Sequence, residues 1–435
     1  MLADEAIAGD AEIAHTRSAL GGAVAQSSHE IVALARALVA VPSAYPPGST
    51  HAMADAIEAM FDGFDVSVER YGTLPHVMNL VVRVRGATPG RRLVFNGHLD
   101  TFPLVSAKQW SADFNGEERG GKLFGLGVSD MKGGLAAIIF ALRHLARLRD
   151  SFAGEVVATF AGDEESMGTE GSGYLLDHVP HAAGDAMISA DTGSPHVLRF
   201  GEKGMIWLRL DATGKSAHAA HVHKGDSAIE KLLDAIQELK SVRDYTVAAP
   251  PEVLAAIERS AAVSEAISGL GESDVLRCPT ITFGTISGGR LSNLIADHAS
   301  ATADIRLPVG VSVAQMTARI NAIVARHPGV SLEIVREYEP SWTDPDHEVI
   351  QTLKRNCAAK LGTEPVVNMR VGASDARLYR RHGVPTVVCG LTSYNMGAAD
   401  EYVHVDELRA LGEIFALTAF DYLNAPAGVE ARLPP

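Results

Sequence analysis

Cysteine is scarce: Cys278, Cys357 and Cys389 are the only three in 435 residues, and none stands at a paired or metal-type spacing. That excludes a disulfide scaffold and a thiolate metal centre, and leaves the three as small hydrophobes of a reducing compartment. Long apolar runs are absent too. None approaches the roughly 20 residues needed to span a bilayer. The first 25 residues carry Asp4, Glu5, Asp10 and Glu12, with no basic segment leading into an apolar core, so they do not read as a secretory signal. The expectation is a cytoplasmic protein without a membrane partner. Positive charge is also short. With 38 Lys and Arg against 53 Asp and Glu, the net charge of -15 argues against a nucleic-acid partner. Any grip on an anionic substrate must come from local Arg, His or metal. What remains, 46% hydrophobic and 21% charged residues, is a globular composition, and 435 residues exceed one ordinary core, so two domains are expected.

The chain is rich in acidic groups at awkward places. Glu164 and Glu165 stand side by side directly after the apolar run Glu155 to Phe160. Neighbouring carboxylates at the end of a buried strand lose water and repel each other, and a cation reverses both costs. Upstream lie His98 and Asp100, after Leu93 to Gly97, and Asp130 within the Gly-rich stretch Gly125 to Gly134. Asp191 follows another apolar run. One His and several carboxylates suit zinc, manganese or cobalt. The Gly-rich stretch lacks the Gly-Lys-Ser/Thr ending of a phosphate loop, so its glycines are read as allowing a strained backbone at Asp130.

Strand-like runs at 79–84, 92–97, 155–161 and 185–190 alternate with helical stretches at 51–62, 131–149 and 170–177. This predicts an α/β sheet, mixed but mostly parallel and sandwiched by helices, with ligands bound beyond the carboxyl ends of its strands. Residues 204–338 read as β-α-β-β-α-β, a ferredoxin-like sandwich of its own, interrupted by a helical piece at 243–276. After Trp342 the first pattern returns. The expected division is an N-terminal extension at 1–27, a metal-binding domain at 28–203 and 339–435, and an inserted dimerisation domain at 204–338. The tail 425–435 reads as frayed.

In order and spacing, these motifs resemble the metallopeptidases and amidohydrolases typified by carboxypeptidase G, acetylornithine deacetylase, succinyl-diaminopimelate desuccinylase and aminoacylase. The resemblance runs from about residue 30 to 423. It is carried by Gly97-His98-Leu99-Asp100-Thr101, the stretch Gly125 to Gly134, Asp163-Glu164-Glu165, Asp191-Thr192, Gly214-Lys215-Ser216-Ala217-His218 and Gly372-Ala373-Ser374-Asp375-Ala376-Arg377. It implies that His98, Asp130 and Asp191 hold one metal, and that Asp130 and Glu165 contribute to a second. Asp100 would orient His98, and Glu164 would serve as base for the attacking water. His218 would reach the active site of a partner subunit in a homodimer. Asn293, Arg306, Ser374 and Arg377 would bind substrate.

One position departs from the family. The His that usually ligates the second metal, three residues before Asp-Glu-Tyr, is Gly397 here, and His404 lies beyond that segment. The expectation is therefore one tightly held divalent ion per subunit, zinc or manganese, with cobalt as a third choice. The leading function is hydrolysis of a C–N bond in a small molecule, the amide of an N-acyl amino acid or short peptide. The departure keeps open a single-metal hydrolytic deaminase of an aromatic amine, similar to 5-nitroanthranilate aminohydrolase. A non-catalytic, metal-stabilised binding protein is the contrasting class. Retention of Glu164 opposes it, because a base has no role without a reaction.

Overall fold

The computed structural model describes residues 2–425, so most of the tail read as frayed lies outside it. The chain divides into two compact units. The first comprises the chain up to Phe200, Thr343–Asn368 and the chain from Ser374 on; the second comprises Gly201–Trp342 and Met369–Ala373.

The first unit is built on a mixed sheet. Its centre is parallel: Ala153–Ala161, Thr88–His98, Ala186–Ser189 and Thr386–Val388 run side by side in that order. These strands are apolar runs because both faces are covered; Leu93, Val94, Phe95, Val156 and Val157 are all fully buried. On one face the helix Val405–Asn424 packs its Phe415 ring against Phe95, with centroids 5.0 Å apart. On the other, Leu175, Leu176 and Tyr379 cover Val81, Val94 and Val157. The margin is antiparallel, through Val77–Arg85 and then Ser67–Leu74. Residues 1–27, read as an extension, form the helix Leu2–Ser27. It docks on the last helix: Leu20 and Val24 are buried, and Arg17 Nε donates to Asp421 Oδ1 at 2.6 Å.

The parallel register places three strand ends level. His98 pairs with Ala161, and Asn96 with Ser189. Asp163 to Glu165 and Asp191 therefore leave the sheet at the same edge as His98. Asp130 reaches that edge from a wide turn, Val128–Lys132, before the helix Gly133–Arg147. That helix, expected from Met131, starts two residues later. Gly134 permits its close seat, since a Cβ there would lie 2.3 Å from the Ala190 carbonyl oxygen.

The second unit is a four-stranded antiparallel sheet ordered Thr280–Gly288, His298–Leu307, Gly204–Thr213, Val330–Tyr338. Alternate residues Ile206, Leu208 and Leu210 face the helices Ala228–Leu239 and Val313–Val324 and form its core. The interrupting piece is a pair of helices, Pro251–Ser268 and Glu272–Arg277. Buried Lys203 holds the end of the second by donating from Nζ to the carbonyls of Val275 (2.6 Å) and Cys278 (2.8 Å). Among the described residues no helix is long and apolar enough to cross a membrane.

Candidate metal centre

His98, Asp130 and Asp191 each present a ligand atom, and these atoms all lie within 4.8 Å of one another. His98 is buried, with Nε2 2.9 Å from Asp130 Oδ1. Its Nδ1 lies 2.9 Å from the main-chain carbonyl of Asp100 and 3.5 Å from that residue's Oδ1. A proton on Nδ1 thus donates to the carbonyl, which fixes the ring and leaves Nε2 for a cation. Asp100 orients His98 mainly through its backbone rather than its carboxylate. The carboxylate has other partners: Oδ1 accepts from the N–H of Glu164 (3.2 Å) and Oδ2 from the N–H of Glu165 (2.9 Å). One buried Asp therefore sets the imidazole and the adjacent Glu pair together.

The electrostatics are those of an acidic site lacking a counter-charge. Burial pushes the Glu165 carboxyl up to about 8, and neighbouring Asp130 adds to it. Its Oε1 is buried with no hydrogen-bond partner. Loss of water raises half-buried Glu164 well above the usual carboxylate range; His98 opposes this, while Asp191 and Asp375 reinforce it. For His98, burial alone lowers the affinity for a proton, but hydrogen bonds to Asp100 and Asp130 override it and hold the imidazole protonated well above its usual range. A divalent cation held by His98, Asp130 and Asp191 would take the place of that proton and offset the carboxylate charge. The residues fit such an ion. Glu165 itself lies outside the three-residue cluster.

The backbone at Asp130 leaves helical geometry, and its bond to Met131 is cis. Asp130 has φ −130°, ψ 86°, whereas Gly127 has φ +72° and no room for a Cβ, which would meet Thr101 Cγ2 at 2.5 Å. The late segment brings no imidazole to the cluster. Gly397 has φ +70° and faces Phe102, and His404 is exposed, its ring edge-on to Tyr394 and Tyr402.

Of the expected substrate residues, Ser374 and Arg377 belong to the first unit and are buried. The Arg377 guanidinium donates to the carbonyls of Ser374 and Met167, each at 2.6 Å. In the second unit His218 and Asn293 are neighbours: the N–H of Ala219 donates to the Asn293 carbonyl, and the His218 Nδ1 accepts from the N–H of Ala220. Arg306 is already bidentate to Asp304, at 2.8 and 2.9 Å, and donates to Tyr338 Oη at 3.1 Å.

Two acidic groups were not singled out from the sequence. Asp375 is buried beside the Glu pair, accepts from Ser172 Oγ at 2.6 Å and is pushed by burial up to about 6. Glu401 is buried against the turn that carries Asp130. Ser374 and Arg377 stand close to the first and Asp400 directly before the second, so no apolar run marked either of them.

A mixed α/β unit with His and carboxylate groups at its strand ends, in a chain that also folds a small antiparallel sandwich, fits a metal-dependent hydrolase acting on C–N bonds. The chain belongs to peptidase family M20/M25/M40, whose model matches residues 94–421. It is 30% identical over 407 residues to succinyl-diaminopimelate desuccinylase of Cereibacter sphaeroides, covering 90% of this chain and 98% of that one. The Acidiphilium cryptum desuccinylase is 30% identical over 395 residues, covering 88% and 96%. Among solved structures, the metallo-carboxypeptidase Sso-CP2 of Sulfolobus solfataricus shares the fold with a TM-score of 0.75 at 17% identity, covering 91% and 98% of the two chains. A dinuclear metal-binding M20 peptidase of Bacillus subtilis has a TM-score of 0.63 at 14% identity, covering 91% and 98%.

Proposed function

We propose that this chain hydrolyses the amide bond of a small N-acyl amino acid or short peptide, with Glu164 as general base. The observation that carries this reading is the pair of hydrogen bonds that the N–H groups of Glu164 and Glu165 donate to the Asp100 carboxylate, next to the cluster His98, Asp130 and Asp191. A divalent ion held by those three, zinc or manganese with cobalt as a third choice, supplies Lewis acidity toward the carbonyl and lowers the pKa of water. Glu164 carries no first-sphere duty in this reading. Its raised proton affinity suits it to take a proton from the attacking water and return it to the leaving nitrogen. His218 donates to the developing oxyanion, reaching the site of a partner in a homodimer, and Asn293 stands beside it. Arg306, Ser374 and Arg377 are the remaining substrate groups. The setting proposed is cytoplasmic.

A second reading is hydrolytic deamination of an aromatic amine at a single ion. Three observations favour it. Gly397 stands where the family has a ligand His. Arg306 is already paired with Asp304, and Arg377 already donates to two carbonyls, which weakens both as grips for a substrate carboxylate. A panel of N-acyl amino acids, dipeptides and aminobenzoates, scored for ammonia against carboxylate release, separates the two. Carboxylate release from the acyl substrates supports amide hydrolysis; ammonia release from the aminobenzoates alone replaces it with deamination.

A further inference from the structure

Glu401 is 1% exposed, and its carboxylate is spent on one short stretch of chain. Oε1 accepts from the N–H of Ser129 at 2.8 Å and from its hydroxyl at 2.7 Å. Oε2 accepts from the N–H of Gly127 at 3.0 Å. The Glu401 carbonyl also accepts from the N–H of Gly125 at 3.0 Å. The following strand, Tyr402–His404, pairs with Lys122–Phe124, so the two segments run in register up to this point. All four bonds fall on residues 125–129, just before Asp130.

The other main-chain bonds of that stretch are the turn contacts from the N–H of Val128 to the Gly125 carbonyl (3.1 Å) and from the N–H of Lys132 to the Gly127 carbonyl (2.8 Å), with one from the N–H of Leu126 to the Phe114 carbonyl (2.9 Å). Gly127 is left-handed and Asp130 is outside helical geometry, so no regular ladder sets the direction of the Asp130 side chain. A fixed carboxylate that gathers Gly127 and Ser129 determines how Asp130 leaves the turn. A merely space-filling role does not need an acid. A buried carboxylate is costly, and a neutral side chain of similar volume fills the same space more cheaply. Three donors converging on it are what make the charge tolerable.

We propose that Glu401 is a positioning residue of the metal centre, clamping the turn Gly127–Ser129 so that the Asp130 carboxylate is presented toward His98. The late segment thereby serves the ion without ligating it. This inference rests on the reading of His98, Asp130 and Asp191 as metal ligands.

The test compares wild type with Ser129→Ala, Glu401→Gln and His98→Ala. Zn²⁺ and Mn²⁺ affinities are measured by chelator competition, absorption spectra are taken of the Co²⁺-loaded proteins, and thermal midpoints are taken without metal. Glu401→Gln replaces one accepting oxygen by an NH2 group, which must face either the Gly127 N–H or the two Ser129 donors, and should weaken binding about 10- to 100-fold, the range for lost outer partners of ligands. Ser129→Ala, which removes one bond, should weaken it by a smaller factor, with the metal-free protein still folded and its midpoint only slightly lowered. Both should shift the cobalt bands. If Glu401→Gln does not fold, Ser129→Ala decides alone. Wild-type affinity and spectra in the folded variants, with His98→Ala unable to bind, overturn the positioning role and leave the ligand reading intact. Undiminished binding by His98→Ala overturns the ligand reading itself.

Discussion

His98 Nε2 lies 2.9 Å from Asp130 Oδ1, although the two residues are 32 apart in sequence. In the absence of a cation only a proton can occupy that contact, and the raised proton affinity of His98 agrees. Proton and metal thus compete for one place, and metal binding must release a proton.

Glu164 sits next to ligand-like Glu165 but is proposed to act on the proton rather than on the ion. Glu164→Gln should retain the fold and the metal while lowering kcat by about two or more orders of magnitude, the range for a general acid–base. Steady-state kinetics with metal content measured on the same sample is the check. Turnover near wild type removes Glu164 from the mechanism.

The metal-free protein should lose stability on mild alkalinisation. Glu165 is pushed up to about 8 and Asp163 to about 7, burial being the first cause for both. In the unfolded chain such groups release their protons near pH 4. The folded state therefore holds more protons through neutrality; the stabilisation is full below the unfolded values and is lost as pH rises through about 7 and 8. The melting midpoint of metal-free protein should fall between about pH 6.5 and 8, and saturating Zn²⁺ should flatten the fall. A midpoint that climbs across that window contradicts the assignment of these groups.

How much of this was legible in the sequence follows from burial. The parallel strands around Leu93–Phe95 and Val156–Phe160 were readable because strands covered on both faces are unbroken apolar runs. Their ends then delivered His98, Glu164, Glu165 and Asp191 to one rim. Ser67–Leu74 was missed because it is a half-exposed, charged margin strand, and Lys122–Phe124 because three residues carry no period. Glu401 was missed for a different reason: its partners are 272 and 274 residues away, and no local pattern encodes such a contact. The docking of the helix Leu2–Ser27 was not readable because the anchors of its Arg17, Asp421 and Asn356, are 404 and 339 residues away.

If His218 completes the site of a partner subunit, activity should be recoverable by mixing. His218→Ala and Glu164→Gln homodimers should each be poor. In a mixed dimer one of the two sites combines an intact base with an intact donor, so activity should return toward half that of wild type. Mass spectrometry verifies the mixed species. No gain over the parents means that the donor comes from the same chain or is not needed.

The central claim is a single tight divalent ion on His98, Asp130 and Asp191, with Gly397 in place of a second imidazole. Isothermal titration of metal-free protein with Zn²⁺ and Mn²⁺ tests it most directly. One strong site per chain, abolished in both His98→Ala and Asp191→Ala, is the predicted result. Two equally tight ions per chain would contradict it and require a further ligand from the segment around Asn395 and His404.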